Sequence, residues 1–584
     1  MLDQRKQQRL RSALPLLLAV LPAIFTGAAI PIFAVDTPLW DEWLIGGYLE
    51  KFAHGTLSLR NLFEQQNEYR QFFPNLVLVG LGWLTSWDVR YWMAASFILA
   101  VLVSFNIYRL GKWSLGRTKD AAWAWFIANL IIFSPVQYEN WLQGQQLVYF
   151  TAIACFTTAL LVASAPNLRT VTKFSLCAVA AIISSFSSAN GLLCWILLLP
   201  ILAWSESSEE LWRKKWWIAA WLAGFVGSAI LYFHDYRHPG HDPLAALHMN
   251  PLKIAGYYLI TLGTPLTPTR AIPAALGGFV LLTLFCWSSW RFWQLRRRSD
   301  FQAQRFLSWL SLGAYSVLTA ALITFGRIGL DTESDLSPIR YTTFTSYLPV
   351  ALVYLVPMML RHDPQLRFFS FKFSTTVALR SLCVALVLLQ FANYFFGIRY
   401  MSNYRISSLY KKSCSLFVNV VDDKCLTERV FPDLDGLKAR INPADQLGFI
   451  RPGLIRSNRV YDIVGTQNPE NGAGVFQSLD RTEDGNFVAS GWAKLPDRDN
   501  PADAILLAFA GDDSSPIIFA IGIPNNNRDV ASALLRGGTY GDSRWSESFS
   551  PGKISSGRVI LSAWAFDASS GKAYKLTGEH LLQE

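Results

Sequence analysis

Charged side chains are scarce. Only 16% of the 584 residues are Asp, Glu, Lys or Arg while 52% are hydrophobic, against roughly 25% charged in ordinary soluble proteins. That shortage excludes a chain whose whole surface meets water. A P-loop, a dinucleotide fingerprint, an HExxH pair, an internal repeat and a low-complexity tract are all lacking, so none of the chemistries those motifs carry has a signature here. Cysteine is sparse too, with seven in all. Five of them, Cys155, Cys177, Cys194, Cys286 and Cys383, lie inside apolar runs and read as packing residues. Cys414 and Cys425 lie beyond the last apolar run and are expected to pair if that side is oxidising. The first apolar run, Ser12 to Ala34, has no obvious cleavage context and is expected to stay as a signal anchor.

What the chain does have is long apolar runs. A membrane helix needs roughly 20 apolar residues, and such runs occur near 12–34, 89–108, 119–134, 147–165, 174–188, 190–204, 216–233, 270–290, 306–326, 344–360 and 376–397. The excess of 52 basic over 42 acidic residues falls in short clusters between these runs, around Arg5, Arg109, Arg169, Arg213, Arg296 and Arg361. With about eleven spans every cluster shares the side of the N-terminus, as the positive-inside rule requires. The cations therefore mark topology, not a nucleic-acid surface. The stretch Phe72 to Ser86 is too short to span and reads as a re-entrant or juxtamembrane helix. The N-terminus is then cytoplasmic and everything after residue 397 lies on the outer face of the plasma (inner) membrane.

From about residue 455 the composition changes to Gly, Asn, Asp and Ser turns between short apolar segments, which predicts an all-β sandwich. The expected fold class is a polytopic α-helical membrane protein with a C-terminal all-β domain. Its expected parts are a membrane module over 1–397, an extracytoplasmic connector over 398–454 and the β-domain over 455–584.

The outer loops hold the unusual polar residues. The first opens with Asp36-Thr-Pro-Leu-Trp40-Asp41-Glu42-Trp43 and closes with Asn67-Glu68-Tyr69-Arg70. Trp40 and Trp43 flank the carboxylates, as an interfacial belt or a sugar-stacking surface would. The second contains Gln137, Glu139, Asn140, Gln143, Gln145 and Gln146, amides that donate and accept and so suit hydroxyl-rich ligands. Ser184 to Gly191 reads as a tight polar turn. The loop after residue 233 holds four of the seven histidines, His234, His238, His241 and His248, in no strict metal-binding spacing. Finally, Arg327, and Arg340 with Tyr341, Thr342 and Thr343, suit a phosphate at membrane depth through forked hydrogen bonds.

Together these pieces resemble the GT-C class of integral-membrane glycosyltransferases, in which a long first outer loop carries an acidic motif after the first span and juxtamembrane helices follow. Asp41-Glu42 matches that motif, Phe72 to Ser86 a juxtamembrane helix and Glu139 a second acidic position. Asn67-Glu68-Tyr69-Arg70 is similar to an Asn-Glu-His-Arg motif of uncharacterised bacterial membrane proteins, with tyrosine in place of histidine. The resemblance implies inverting transfer of a sugar from a polyprenyl-phosphate donor to a cell-surface glycan or lipid acceptor. Asp41 would be the general base, with Glu42 its neighbour or a ligand to a divalent cation, the cofactor otherwise being open. Arg340 and Arg70 would meet the phosphate, and Asn67, Glu68, Glu139, Asn140, Gln143, Arg327 and Tyr341 would line the substrate site. The β-domain resembles an appended carbohydrate-binding module with Trp492, Trp545 and Trp564 as its aromatics. A transporter or flippase, or a polymerase or ligase of lipid-linked glycans, is the alternative.

Overall fold

The computed structural model describes residues 2–116, 118–205, 207–237, 249–268, 270–296, 302–328, 339–362, 375–421, 424–466, 472–496, 501–510, 515–524, 543–554 and 558–583. Two compact units divide them. The first comprises Met1–Ile32, Ser58–Val77 and Trp92–Ile398, and the second Phe33–Leu57, Leu78–Tyr91 and Arg399–Glu584.

Among the described residues nine helices are long and apolar enough to cross a membrane, namely Leu14–Phe33, Arg90–Leu115, Lys119–Leu142, Gly144–Ser164, Ser208–Phe233, Ala271–Leu295, Ala303–Arg327, Ile339–Arg361 and Arg380–Leu416. This is the build of a multi-pass membrane protein. The expected spans at 174–188 and 190–204 fall instead on the shorter helices Thr170–Ser185 and Ala189–Leu202. Their apolar run is broken by a turn at which Gly191 passes so close to the Ser184 carbonyl that a Cβ would collide with it. Phe72–Leu84 is a helix of 13 residues, below spanning length.

Helix starts follow local chemistry. The Ser207 hydroxyl accepts from Glu210 N–H at 3.2 Å and acidic Glu209 and Glu210 occupy the first turn of Ser208–Phe233, which complements the helix dipole. Within the first unit, polar side chains join helices where no water competes. Asn129 Nδ2 donates to the Ala19 carbonyl at 2.7 Å while its Oδ1 accepts from Ser104 at 2.7 Å. Close backbone approach does the same between Pro251–Gly263 and Ala271–Leu295, where Gly263 faces the Ala274 carbonyl and Gly278 the Leu259 carbonyl, as small residues allow in membrane packing. The most apolar stretch of Ile339–Arg361 is 83% buried, that of Ser208–Phe233 only 17%. The former is central and the latter presents Leu222, Val226, Ile230 and Phe233 outward.

The second unit is built around a seven-stranded sheet. Its strands are β3 (Gly474–Arg481), β4 (Phe487–Ala493), β5 (Ala504–Ala510), β6 (Ile517–Gly522), β7 (Arg544–Phe549), β8 (Arg558–Asp567) and β9 (Lys572–Gln583), in the order β6-β5-β8-β9-β3-β4-β7. Neighbours run antiparallel except β3 and β9, which meet in parallel at Val475 and Thr577. In β4 buried and half-buried residues alternate, as expected of a strand with one face in a core. In β5 and β8 both faces are covered. Ile505, Leu507, Leu561 and Ala563 join the core with Phe476 and Phe519, while on the other face Phe417 packs on Phe566 at 5.1 Å and Tyr461 on Trp564 at 6.3 Å. Tyr410 donates to the Ile521 carbonyl at 3.0 Å, so the end of the long helix Thr375–Leu416 is part of this packing. Cys414 and Cys425 form a disulfide with Cα atoms 6.1 Å apart.

Candidate functional site

The Asn-Glu-Tyr-Arg segment folds as a minimal hairpin. Strand β1 (Gln65–Gln66) pairs antiparallel with β2 (Tyr69–Arg70), leaving two residues for the turn. Asn67 takes φ of 50°, the left-handed conformation that asparagine tolerates and a two-residue hairpin needs. The hairpin is fastened to the end of helix Ser208–Phe233 from both sides. Tyr232 donates to the Glu68 carbonyl at 2.7 Å, and Gln65 donates to the Arg237 carbonyl at 2.6 Å while accepting from its N–H at 3.0 Å.

Buried Arg70 belongs to this fastening. Its Nε donates to the Tyr232 carbonyl at 2.7 Å, one Nη to the Phe63 carbonyl at 3.1 Å and the other to the His234 carbonyl. With three carbonyls around it the guanidinium ties elements together.

Glu68 points the other way, into a cavity of about 390 Å³. Its Oε2 accepts from Arg327 Nη2 at 2.8 Å. Tyr69 lies within electrostatic reach of Arg327, and Glu139 and Arg327 both lie within electrostatic reach of Arg340. Tyr341, buried, lines the cavity and packs on Tyr149 at 6.2 Å. Four stretches remote in sequence, at 68, 139, 327 and 340, thus supply one polar cluster in the first unit.

Beyond this polar end the cavity wall is apolar, with Leu192, Ile196, Phe225, Leu322, Ile323 and Phe344. Asn190 is an exception: it is buried there, with Nδ2 bonded to Tyr315 at 3.0 Å and Oδ1 without a partner among the described residues. Burial first, then the neighbouring Glu68 carboxylate and Tyr69, raises the Tyr236 hydroxyl above its ordinary pKa. Tyr232, Tyr236 and Asn190 were not among the expected site residues. No local pattern marked the two tyrosines: Tyr232 is in the last turn of Ser208–Phe233 and Tyr236 lies beyond its end.

The other expected residues are placed as follows. Asn140 donates to Thr343 at 2.7 Å, which donates in turn to Gln137 at 2.9 Å; this chain fastens the second loop to the 339–361 span. Half-buried Gln143 accepts from Gln146 at 3.1 Å. Asp41 and Glu42 belong to the second unit, on the short turn Trp40–Glu42. Asp41 is exposed, whereas Glu42 is fully buried and accepts from the Leu39 N–H at 2.7 Å. Trp43 is buried edge-on against Trp87 at 5.6 Å, and Trp40 is exposed. Trp545 and Trp564 are also buried, which makes them core residues of the β-rich part, and Trp492 is half-buried.

His234 is exposed beside Asp235 at 3.2 Å. His238, His241, Asp242 and His248 lie outside the described residues, as do Asp331, Glu333 and Asp335. Among the described residues no group of three or more His, Cys, Asp and Glu is arranged to hold a metal. Compared with protein-family models, curated proteins and solved structures, the chain matches none.

Proposed function

We propose that the chain is a membrane glycosyltransferase of GT-C type that moves a sugar from a polyprenyl-phosphate donor to a glycan or lipid acceptor. The observation that carries this reading is the cavity with an apolar wall and a charged end, where Arg327 pairs with Glu68 and Arg340 lies within electrostatic reach. An apolar tail and a phosphate have just these two needs. The acceptor hydroxyl attacks the anomeric carbon, its proton passes to a carboxylate, and the bond to the phosphate oxygen breaks with inversion. The leaving polyprenyl phosphate takes up negative charge that the two guanidinium groups compensate. The carboxylate is Asp41 by resemblance, and Glu68 is the carboxylate at the cavity itself. In this reading the N-terminus is cytoplasmic, and the β-domain, a sandwich that contacts carbohydrate, lies on the outer face.

The test is mass analysis of cell-surface glycans and polyprenyl lipids from cells with and without the protein. A sugar missing from the glycans, with its polyprenyl-phosphate form accumulating, is the expected result. Unchanged glycans and lipids would overturn the proposal. Accumulation confined to one leaflet, with transfer intact once the donor is supplied outside, would favour the flippase alternative.

A further inference from the structure

The first unit contains a second cavity that the proposed reaction does not use. It measures about 280 Å³ and is lined by Thr170, Lys173, Ser205, Glu210, Lys214 and Gln304. The helices that frame it also frame the first cavity, at their other ends. Thr170 and Lys173 begin the helix Thr170–Ser185, which ends just before the Ser188 and Asn190 wall of the first cavity. Glu210 and Lys214 lie in the opening turns of Ser208–Phe233, whose later turns carry Phe225 and Tyr232 to the first cavity. That helix has 26 residues, which at 1.5 Å each separates its ends by about 39 Å. The two cavities therefore lie toward opposite ends of the same helices.

The charges in the second cavity are unbalanced. Lys214 Nζ donates to the Trp204 carbonyl at 2.6 Å and pairs with Glu210 at 2.8 Å. Lys173 is half-buried and forms no ion pair among the described residues. Among the described residues two ammonium groups thus share one carboxylate in a partly desolvated space, where an uncompensated charge is costly and an anion would relieve it. Ser205 donates its hydroxyl to the Ala203 carbonyl at 3.1 Å, while the Thr170 hydroxyl and the Gln304 amide add donors suited to the oxygens of an anion. At the same end of the helix Trp212 and Trp216 are exposed, with Lys215 Nζ 4.4 Å and 5.6 Å from their rings. Exposed tryptophan and lysine together are the composition of a span at headgroup depth.

We infer that this cavity is a phosphate-binding site at the membrane face opposite the Glu68–Arg327 cavity, and that the phosphate is that of an anionic lipid headgroup. Basic pockets between spans recognise headgroups by the same chemistry. The inference does not depend on the transferase reading, since it concerns other residues and a different measurement.

The experiment titrates the full chain, delipidated in detergent, with phosphatidylglycerol, with phosphatidylcholine and separately with inorganic phosphate, read by native mass spectrometry and thermal stabilisation. Phosphatidylglycerol should bind in preference to phosphatidylcholine. Lys173→Gln should weaken phosphatidylglycerol about tenfold, the usual worth of one charged hydrogen bond, while Lys173→Arg retains it. Lys215→Gln, outside the cavity, should leave the preference unchanged and so separates the site from net charge. Saturable stabilisation by millimolar inorganic phosphate that Lys173→Gln abolishes would support the anion site and assign it to a soluble phosphate. Equal binding of both lipids with no response to phosphate would overturn the inference, as would a preference that survives in Lys173→Gln. Should Lys173→Gln fail to fold, Thr170→Val, which removes one donor and no charge, must show the same direction of change.

Discussion

Arg327 Nη2 donates to Glu68 Oε2 at 2.8 Å across 259 residues of sequence, at the polar end of a largely apolar cavity. With side chains 25% and 19% exposed, the pair is neither a screened surface contact nor a fully desolvated one. Such a pair contributes modestly to stability, on the order of 1–2 kcal/mol. In the proposed reaction its larger consequence is that a guanidinium is held oriented toward the cavity that would receive the phosphate.

Arg327→Gln should therefore reduce turnover much more than stability. Removing one preorganised charge from a leaving-group site costs about 100-fold in rate, while the melting temperature in detergent should fall by only a few degrees. Equal and large losses of both would mean that the pair is structural.

Arg70 should behave in the opposite way. Its three carbonyl partners cannot all be served by an ammonium, so Arg70→Lys leaves buried acceptors unpaired at a cost of about 2 kcal/mol or more. Thermal unfolding should report that loss. Among molecules that remain folded the donor KM should stay within about twofold of the parent. A KM raised tenfold with an unchanged melt would return Arg70 to the phosphate.

Gly191→Ala tests whether the turn between Thr170–Ser185 and Ala189–Leu202 holds the cavity wall. The added methyl would strike the Ser184 carbonyl oxygen, and backbone has no rotamer by which to yield. A loss of about 1–3 kcal/mol is expected from such overpacking, together with weaker donor binding because Asn190 shifts. A melt and a KM indistinguishable from the parent would refute the proposed close approach.

The membrane helices were legible because hydrocarbon thickness imposes a length on apolar runs, and Leu14–Phe33 or Ala271–Leu295 satisfy it without help from the rest of the chain. The turn from Ser184 to Gly191 was legible as a polar cluster between two apolar runs; the shortness of the helices that flank it, Thr170–Ser185 and Ala189–Leu202, was not, since short apolar helices have the same hydropathy as full spans. The candidate arginines were visible by type, yet sequence cannot tell Arg70, committed to carbonyls, from Arg327, committed to Glu68. Trp545 and Trp564 illustrate the same limit: an aromatic in a β-strand has one signature whether it fills a core or meets a sugar. The contacts that decide these cases are long-range and leave no local pattern.

The disulfide is a separate test of compartment. Cys414 and Cys425 are both buried, with Cα atoms 6.1 Å apart and a sequence separation of 11. In the chain-entropy model a loop of that size is worth roughly 2–3 kcal/mol. Thiol alkylation of denatured, unreduced protein should spare these two cysteines while modifying the other five. Modification of all seven would place that part of the chain on a reducing side.

The last prediction separates the two carboxylates that could accept the acceptor's proton. Asp41 is exposed on the Trp40–Glu42 turn, so Asp41→Asn keeps its shape at little cost in folding and removes the charge and the ability to take a proton. Loss of general-base catalysis is worth about 100-fold or more in turnover. Glu68→Gln is a compound change, because it also takes the negative charge from the partner that Arg327 meets at 2.8 Å, and a guanidinium no longer neutralised should bind the donor phosphate more tightly. If Asp41 is the base, Asp41→Asn lowers kcat with the donor KM unchanged, and Glu68→Gln lowers the donor KM while retaining turnover within about tenfold. If Glu68 is the base, the kcat losses exchange places and Asp41→Asn is nearly silent. The measurement is a transfer assay in liposomes at matched protein, with kcat and KM resolved for each variant. Full activity in both variants would exclude a carboxylate base at either position and favour a mechanism that relies on Arg327 and Arg340 alone.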